Sequence, residues 1–388
     1  MNINIAGTLI FMASMQAEAG TPARGIDAYL DPLIVDGFDF PVGDKDGKGC
    51  YQDPRGTKHC GWYVATNTGE EYSLGIHTGE DWNGRGGGDS DIGQPVYAIA
   101  KGRCIDSKDY GGSWGNVVVL THKYLENGAV KTVFSVYAHL ASRAVEKGEI
   151  VSRRDQLGVI GNSGGMHKAH LHIEIRKESL EGYPSDYWPS SHEKSVEWVA
   201  ENYWDVSQFI EEHRTQTVPA KEKKILIGFK SENDLFVLEH GNIVKQIPFG
   251  TGQNSSGHKK QEGDNRTPEG EYRIIQKARP PFSGSYAAYF GVAWMRLNYP
   301  NNWDAQRGFE KGLISQKQRN QIISQNKKGV MPLKNTTLGG GIGIHGWIDE
   351  WIDDGSQNRT WGCITLQNSK LDVLYEELSL QTKVIIRP

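Results

Sequence analysis

The sequence lacks the features that mark several large classes of protein. Its formal net charge is only -4 over 388 residues, so no basic field exists to attract nucleic acid. Beyond the first 19 residues, no apolar stretch approaches the length needed to span a membrane. It also contains no internal repeat, which argues against solenoid and propeller architectures.

Two glycine-containing segments lack the residues that would make them ligand loops. Gly339–Gly343 is followed by no Lys-Ser/Thr pair, so it is not a phosphate-binding loop. Asp44-Lys-Asp46-Gly47 lacks the remaining ligands of a calcium loop and is predicted to be a turn. Nucleotide and calcium binding therefore have no support in the sequence.

Cysteine is scarce, with four residues in the whole chain. Cys50 and Cys60 flank a short glycine-containing loop and would be able to pair in an exported protein, although two free thiols fit the sequence equally well. Cys104 lies in a stretch of alternating apolar residues, so we expect a small buried side chain. Cys363 has a different setting, after a glycine near the end of the sequence.

The first 19 residues have the shape of a secretory signal peptide. An apolar stretch from Ile3 to Ala13 precedes Ala17-Glu18-Ala19, a small-residue cleavage pattern. The positive region that usually comes first is missing, because no Lys or Arg occurs before Arg24, and an ordinary N-terminal strand is the alternative. We expect a periplasmic or secreted protein.

The rest of the sequence is predicted to form two mainly β domains. Short β-branched and aromatic runs bounded by Gly and Asn predict a compact antiparallel β domain over residues 25–176, with a sheet or sandwich architecture. Helical spacing of apolar residues over 193–213 predicts one or two helices that close this first domain, residues 25–213. A polar, Pro-containing linker, 214–222, leads to a second β-rich domain, 223–388, with a helical insertion around 304–330.

Five residues at three places supply the side chains of a small catalytic metal site. His77 and Asp81 are four residues apart, and His139 occurs later in the sequence. His170 and His172 lie on the same face of a strand, because side chains alternate along it. A catalytic zinc site uses three protein ligands and keeps one position open. The surplus imidazoles suit a hydrolase, which must move the protons of water and of an oxyanion.

The order His77-x-x-x-Asp81, Tyr137-Ala-His139, His170-x-His172 resembles the lysostaphin-like zinc endopeptidases. Members of this family cut peptide cross-bridges in bacterial peptidoglycan. The resemblance covers about residues 25–176.

This resemblance implies that His77, Asp81 and His172 hold Zn²⁺. His139 and His170 would then be free imidazoles, one taking the proton of water and the other donating to the tetrahedral oxyanion. Unrelated structural histidines, or a metal fold kept only for wall binding, are the alternatives. The sequence departs from the family pattern at 166–169, where small residues and Pro are common.

A second group of residues provides a thiol and a base. Ile342-Gly-Ile-His345-Gly346 is followed, eighteen residues after His345, by Cys363 within Thr360-Trp-Gly362-Cys363. A cysteine needs a base or a positive environment to act as a thiolate. Gly362 allows a tight turn, so that backbone N–H groups can face an acyl oxyanion.

This second pattern resembles the L,D-transpeptidases of bacterial cell walls, over about residues 223–388. The resemblance implies that Cys363 attacks a stem-peptide carbonyl and expels D-Ala, with His345 as base and Gly346, Thr360 and Gly362 around the substrate or oxyanion. A backbone carbonyl, with Gly362 and Thr360 as candidates, would hold the His345 ring. The departure is Thr365, where an Arg often stands.

The two resemblances together predict a bifunctional cell-wall enzyme. One domain would hydrolyse peptidoglycan cross-links with zinc, and the other would form or trim links between stem peptides with a thiol. Peptidoglycan stem peptides and cross-bridges are the expected partners. The alternative is a zinc domain that only binds or activates, with Cys363 as the sole working site.

Overall fold

The computed structural model describes residues 25–73, 75–178, 194–351 and 357–388. The predicted signal segment, 1–19, lies outside the described residues. Within the described part of the chain, no helix combines the length and apolar character required to cross a lipid bilayer.

The first unit is built around a ten-stranded sheet. The strands of this unit are β1 Cys50–Gln52, β2 Lys58–Cys60, β3 Trp62–Thr66, β4 Glu71–Tyr72, β5 Gly75–Ile76, β6 Glu80–Gly84, β7 Pro95–Tyr97, β8 Gly102–Asp109, β9 Asn116–Glu126, β10 Ala129–Arg143, β11 Ile150–Val151, β12 Gln156–Ile160, β13 Leu171–Arg176 and β14 Tyr203–Trp204. Seven strands of the sheet run in the order β11-β8-β9-β10-β13-β6-β3. In addition, β12 pairs with β10 and β7, β14 pairs with β13, and all of these pairs are antiparallel.

Two short helices close this unit, as the helical spacing predicted. Helix α1 spans Val196–Asn202 and α2 spans Val206–Glu212, capped by the side chains of Ser195 and Asp205. Phe209 and Ile210 of α2 are buried in the same core as the sheet. Helix α2 therefore contributes apolar side chains to the core of the unit, whereas Val199 of α1 packs in a separate small cluster with Ile76 and Tyr203.

The cysteines of the first unit differ in state. Cys50 and Cys60 form a disulfide between the paired strands β1 and β2, which decides between the two alternatives left by the sequence. Cys104 is free and buried, as its alternating apolar surroundings predicted.

The second unit is an eight-stranded sheet with three helices. Its elements are β15 Ile225–Phe229, β16 Asp234–Glu239, β17 Asn242–Pro248, β18 Gly270–Ala278, β19 Trp294–Leu297, α3 Asn302–Glu310, α4 Gln316–Lys327, β20 Gly343–His345, β21 Ile364–Thr365, α5 Asn368–Glu377 and β22 Lys383–Arg387. The strand order is β17-β16-β15-β22-β18-β19-β20-β21, and the pairs β15/β22 and β20/β21 are parallel. The mainly β class with two domains and a helical insertion is confirmed.

The two units share a hydrophobic cluster, here called the shared core. Asn127 and Gly128, both at positive φ, form the turn of the β9–β10 hairpin. The turn reaches the second unit, where Asn127 Oδ1 accepts from the Glu271 backbone N–H at 3.2 Å and from Asn301 Nδ2 at 3.1 Å. The shared core consists of Ile26, Tyr29, Ile34, Leu125, Val218, Ile225, Ile227, Phe229, Phe236, Leu238 and Ile385.

Candidate active sites

The first cluster forms where β6 and β13 lie side by side. Asp81 on β6 and His172 on β13 are directly opposite each other in this antiparallel pair. His77 lies in the segment that leads into β6. A Cβ added to Gly79 would fall 2.0 Å from the Ile173 carbonyl oxygen, so glycine is what allows this segment to approach β13.

Three donor atoms converge in this cluster. His77 Nε2 lies 3.1 Å from Asp81 Oδ1 and 3.1 Å from His172 Nδ1, and Asp81 Oδ1 lies 2.9 Å from His172 Nδ1. Tetrahedral ligands about 2.0–2.1 Å from a zinc ion stand about 3.3 Å apart. Two imidazole nitrogens and one carboxylate oxygen at this spacing fit a divalent ion after a small relaxation.

The outer nitrogen of each of these two imidazoles also has a partner. His77 Nδ1 lies 3.3 Å from the Asn67 carbonyl, and His172 Nε2 lies 3.2 Å from Glu174 Oε1. Glu174 is fully buried and is itself paired with Arg176 at 2.8 Å. Such outer partners fix ring orientation and the tautomer that presents a lone pair to a metal.

The charges in this cluster are strongly coupled. Burial alone would raise the pKa of Asp81, but hydrogen bonds from His172 and His77 hold it far below its usual range. Burial alone would lower the pKa of His172, yet Asp81 and Glu174 raise it to about 9. Without a metal, His172 would therefore carry a proton at neutral pH, and a bound cation would replace that proton.

His139 and His170 lie beside this triad without belonging to it. His139 is near the end of β10, at a register shift between Tyr137 and Leu140, and its ring centroid is 4.7 Å from that of His170. His170 Nε2 lies 3.6 Å from Asp81 Oδ1. Burial, with the neighbouring imidazoles, holds the pKa of His139 well below its ordinary value, and burial also lowers the pKa of His170. Both rings are therefore neutral at pH 7.

The structure adds two residues to this site that the sequence analysis missed. Glu174 continues the period-two series of His170 and His172, so strand alternation offered a signal for it. Ser163 contacts the His139 ring from a separate segment, with Oγ 3.1 Å from Nδ1. No spacing in the sequence links Ser163 to His139.

The second site is a cavity of about 290 Å³ in the second unit. Cys363 and His345 both line it, and the parallel pairing of β20 with β21 brings their segments together. The Cys363 thiol donates to the Gly341 carbonyl, with Sγ 3.6 Å from the oxygen. The aromatic lining consists of Tyr286, Tyr289, Phe290, Trp347 and Trp361. A larger cavity, of about 580 Å³, lies between the units and is lined by none of the predicted site residues.

The carbonyl that holds the His345 ring differs from the two expected candidates. His345 Nδ1 donates to the Gly346 carbonyl at 2.6 Å, so the expectation of Gly362 or Thr360 in this role was wrong. The physical reason is local: the chain turns directly after β20 and presents the next carbonyl to the ring. The tautomer leaves Nε2 of His345 as the proton acceptor.

Thr360 organises the turn that carries the thiol. Its hydroxyl donates to the Cys363 carbonyl at 2.7 Å and accepts from the Gly362 N–H at 3.2 Å. The Gly362 N–H is thus directed to Thr360 rather than into the cavity. Gly362 has φ +129°, and an added Cβ would lie 2.7 Å from the Arg266 carbonyl, so this position requires glycine.

The thiol and the imidazole are both uncharged at rest. Burial raises the pKa of Cys363 to about 11 and lowers the pKa of His345 to about 4. Thr365, at the position where an Arg often stands in the L,D-transpeptidases, is fully buried in β21. Among the described residues that line the cavity, the basic side chain is that of Lys259, whose Nζ donates to Asp264 Oδ1 at 2.7 Å. No sequence motif includes Lys259.

Comparison with known proteins separates the same two regions. Residues 75–186 match the model of peptidase family M23, and residues 223–386 match the model of the L,D-transpeptidase catalytic domain. Over 84 residues the chain is 34% identical to the peptidoglycan DD-endopeptidase ShyA of Vibrio cholerae, a match that spans 22% of this chain and 18% of ShyA.

Solved structures resemble parts of the chain. A zinc-containing peptidase from Vibrio cholerae is 23% identical, with a TM-score of 0.26, over 36% of this chain and 37% of that one. The helical cell shape determining protein Pgp2 from Campylobacter jejuni is 26% identical, with a TM-score of 0.28, over 42% of this chain and 46% of that one.

Proposed function

We propose, from the premise that this chain joins a peptidase family M23 domain to an L,D-transpeptidase catalytic domain, that it is a bifunctional enzyme of the bacterial cell wall. The zinc domain, residues 25–213, would hydrolyse peptide cross-links of peptidoglycan. The thiol domain, 223–388, would exchange or trim stem peptides, and 214–222 would connect the two. The observation that carries the proposal is the convergence of His77, Asp81 and His172 beside two uncoordinated imidazoles.

In the zinc domain, His77 Nε2, Asp81 Oδ1 and His172 Nδ1 would hold the ion. A bound Zn²⁺ would supply Lewis-acid chemistry, lowering the pKa of a water and polarising the scissile carbonyl. His139, neutral at pH 7, would accept the proton of the attacking water. The Nδ1–H of His170 is committed to the Lys168 carbonyl, so His170 would donate to the developing oxyanion from Nε2 in its protonated form. A full ligand set with both rings present favours hydrolysis over a role in wall binding alone.

In the thiol domain, Cys363 would attack the carbonyl of the diamino acid that precedes the terminal D-Ala. The thiol proton passes to His345 Nε2 as the S–C bond forms, and it leaves with the amine of D-Ala as the C–N bond breaks. An amine or a water molecule then attacks the thioester and releases Cys363 as a thiol.

The periplasm or the cell exterior is the proposed place of action. Peptidoglycan lies there, and the Cys50–Cys60 disulfide persists in such oxidising surroundings. Residues 1–19 would direct the export.

Digestion of purified sacculi tests the proposal as a whole. The full-length protein is expected to release fragments cut at peptide cross-links, and this release should stop with a chelator and return with added zinc. A carbapenem should block D-Ala release and leave the zinc-dependent fragments unchanged. Mass spectrometry of the products reads out both reactions, and intact sacculi after incubation with the zinc-loaded protein would contradict the endopeptidase.

Because the Cys363 thiol and the His345 imidazole are both uncharged at rest, we expect an unusual pH dependence for the alkylation of Cys363. Since the pKa of the thiol is about 11, the thiolate is scarce at pH 7 and its fraction rises about tenfold per pH unit. The rate of carbamidomethylation by iodoacetamide should therefore keep rising beyond pH 9. Peptide-resolved mass spectrometry separates Cys363 from Cys104, and the unfolded chain, with an ordinary thiol near pKa 8.5, is the internal control. A plateau below pH 7 would reveal a preformed ion pair with His345 instead.

A further inference from the structure

We propose that Ser163 is a positioning residue for His139, which holds the ring in the tautomer that leaves Nε2 able to accept a proton. The inference rests on the proposed endopeptidase function. None of the three sequence motifs of the first domain includes Ser163. It lies in a short turn, Ser163–Gly165, between β12 and β13.

The direction of the hydrogen bonds sets the tautomer. Ser163 Oγ lies 2.7 Å from the Ser113 carbonyl oxygen. A carbonyl only accepts, so the single hydroxyl proton is committed to that bond. Towards His139 Nδ1, 3.1 Å away, the same oxygen can then only accept. In a neutral ring the proton therefore resides on Nδ1, and the lone pair resides on Nε2.

The backbone supports a role for the hydroxyl. Ser163 has φ +50° and His139 has φ +60°, both in the left-handed region that non-glycine residues rarely adopt. The two positions that follow Ser163 are glycines, Gly164 and Gly165, at positive φ. A third glycine would adopt the conformation of Ser163 without strain. The strained serine is consistent with a function that requires its side chain.

One loop holds both residues in place. The Ser113 carbonyl accepts from Ser163, and the adjacent Trp114 carbonyl accepts from the His139 backbone N–H at 3.0 Å. The Trp114 indole stacks against the His139 ring at a centroid distance of 6.0 Å and an angle of 24°. The ring is thus restrained by stacking on one face and by Ser163 at Nδ1.

His170 provides an internal comparison. Its Nδ1 lies 2.7 Å from the Lys168 carbonyl, so a backbone group fixes the same tautomer there. Of these two rings, His139 is the one whose tautomer depends on a side chain, which makes that tautomer accessible to substitution.

Two substitutions separate the hydroxyl from the backbone strain. Ser163→Ala and Ser163→Gly both remove the hydroxyl, but Gly also relieves the strained φ. We expect both to lower kcat on a soluble cross-linked muropeptide by about 10-fold, a part of the 10²–10⁴ that a whole acid–base group supplies. KM and zinc content should stay near wild-type values. Ser142→Ala, an exposed serine on the same strand as His139, is the matched control.

A readout that does not depend on turnover completes the test. In zinc-loaded protein labelled with ¹⁵N-histidine, His139 is expected to give a protonated Nδ1 in the wild type and a mixed population in both variants. Wild-type kcat in Ser163→Gly, or an unchanged tautomer in both variants, would overturn the proposal. An inactive wild type with a fixed His139 tautomer would instead refute the endopeptidase and leave the role of Ser163 standing.

Discussion

Replacement of His139 by alanine is expected to abolish the clearing of a cell-wall suspension while the protein still binds about one zinc ion. The ring lies outside the triad of donor atoms but beside it, with centroids 5.6 Å from His172 and 4.7 Å from His170. Loss of a general base lowers turnover by a factor on the order of 10²–10⁴. Turbidity of sacculi and metal analysis of the same sample measure both quantities.

The control for this experiment is His240→Ala, which changes an exposed histidine in the turn between β16 and β17. It should clear the suspension like the wild type. Full clearing by His139→Ala would remove this residue from the mechanism. Loss of zinc together with activity would make His139 a ligand and would require a different assignment of the site.

Replacement of Cys363 by alanine is expected to abolish acylation by a carbapenem and the release of D-Ala. Cys363 is the free cysteine that lines the aromatic cavity with His345, whereas the other free cysteine of the described chain, Cys104, is buried in the first unit. Without a nucleophile no thioester forms, so the loss should be complete. Intact-mass spectrometry after incubation with the carbapenem detects the adduct.

Cys104→Ala provides the matched control, and one adduct per chain is expected with this variant. Zinc-dependent release of fragments should be unchanged in Cys363→Ala, because the two sites belong to different units. Undiminished acylation of Cys363→Ala would discard the assignment of the nucleophile.

The sequence predicted the architecture well because strands and helices leave local signals. The short β-branched and aromatic runs correspond to β7, β9, β10, β12 and β13, and the spacing over 193–213 corresponds to α1 and α2. The insertion around 304–330 contains α3 and α4, which pack on each other and on Leu338 through a small core of their own. Leu338 directly precedes the glycine run, 339–341, that lines the cysteine cavity.

What the sequence left open depends on contacts between distant segments. The partner of the His345 ring was wrongly expected at Gly362 or Thr360, because the path of the backbone after β20 cannot be read from residue types. Ser163 and Lys259 could not be predicted from the sequence for a related reason. Each reaches its site from a segment with no motif of its own, and only the folded chain brings it there.

The β9–β10 hairpin has a mechanical consequence for the whole enzyme. β10 carries His139 near one end, and the turn before its other end is hydrogen-bonded through Asn127 to the second unit, next to the shared core. An apolar cluster that both units share opposes the independent motion that tandem domains otherwise have. The two reaction centres would then work at a constant separation, so the flexibility needed to pass from one to the other must come from the wall polymer itself.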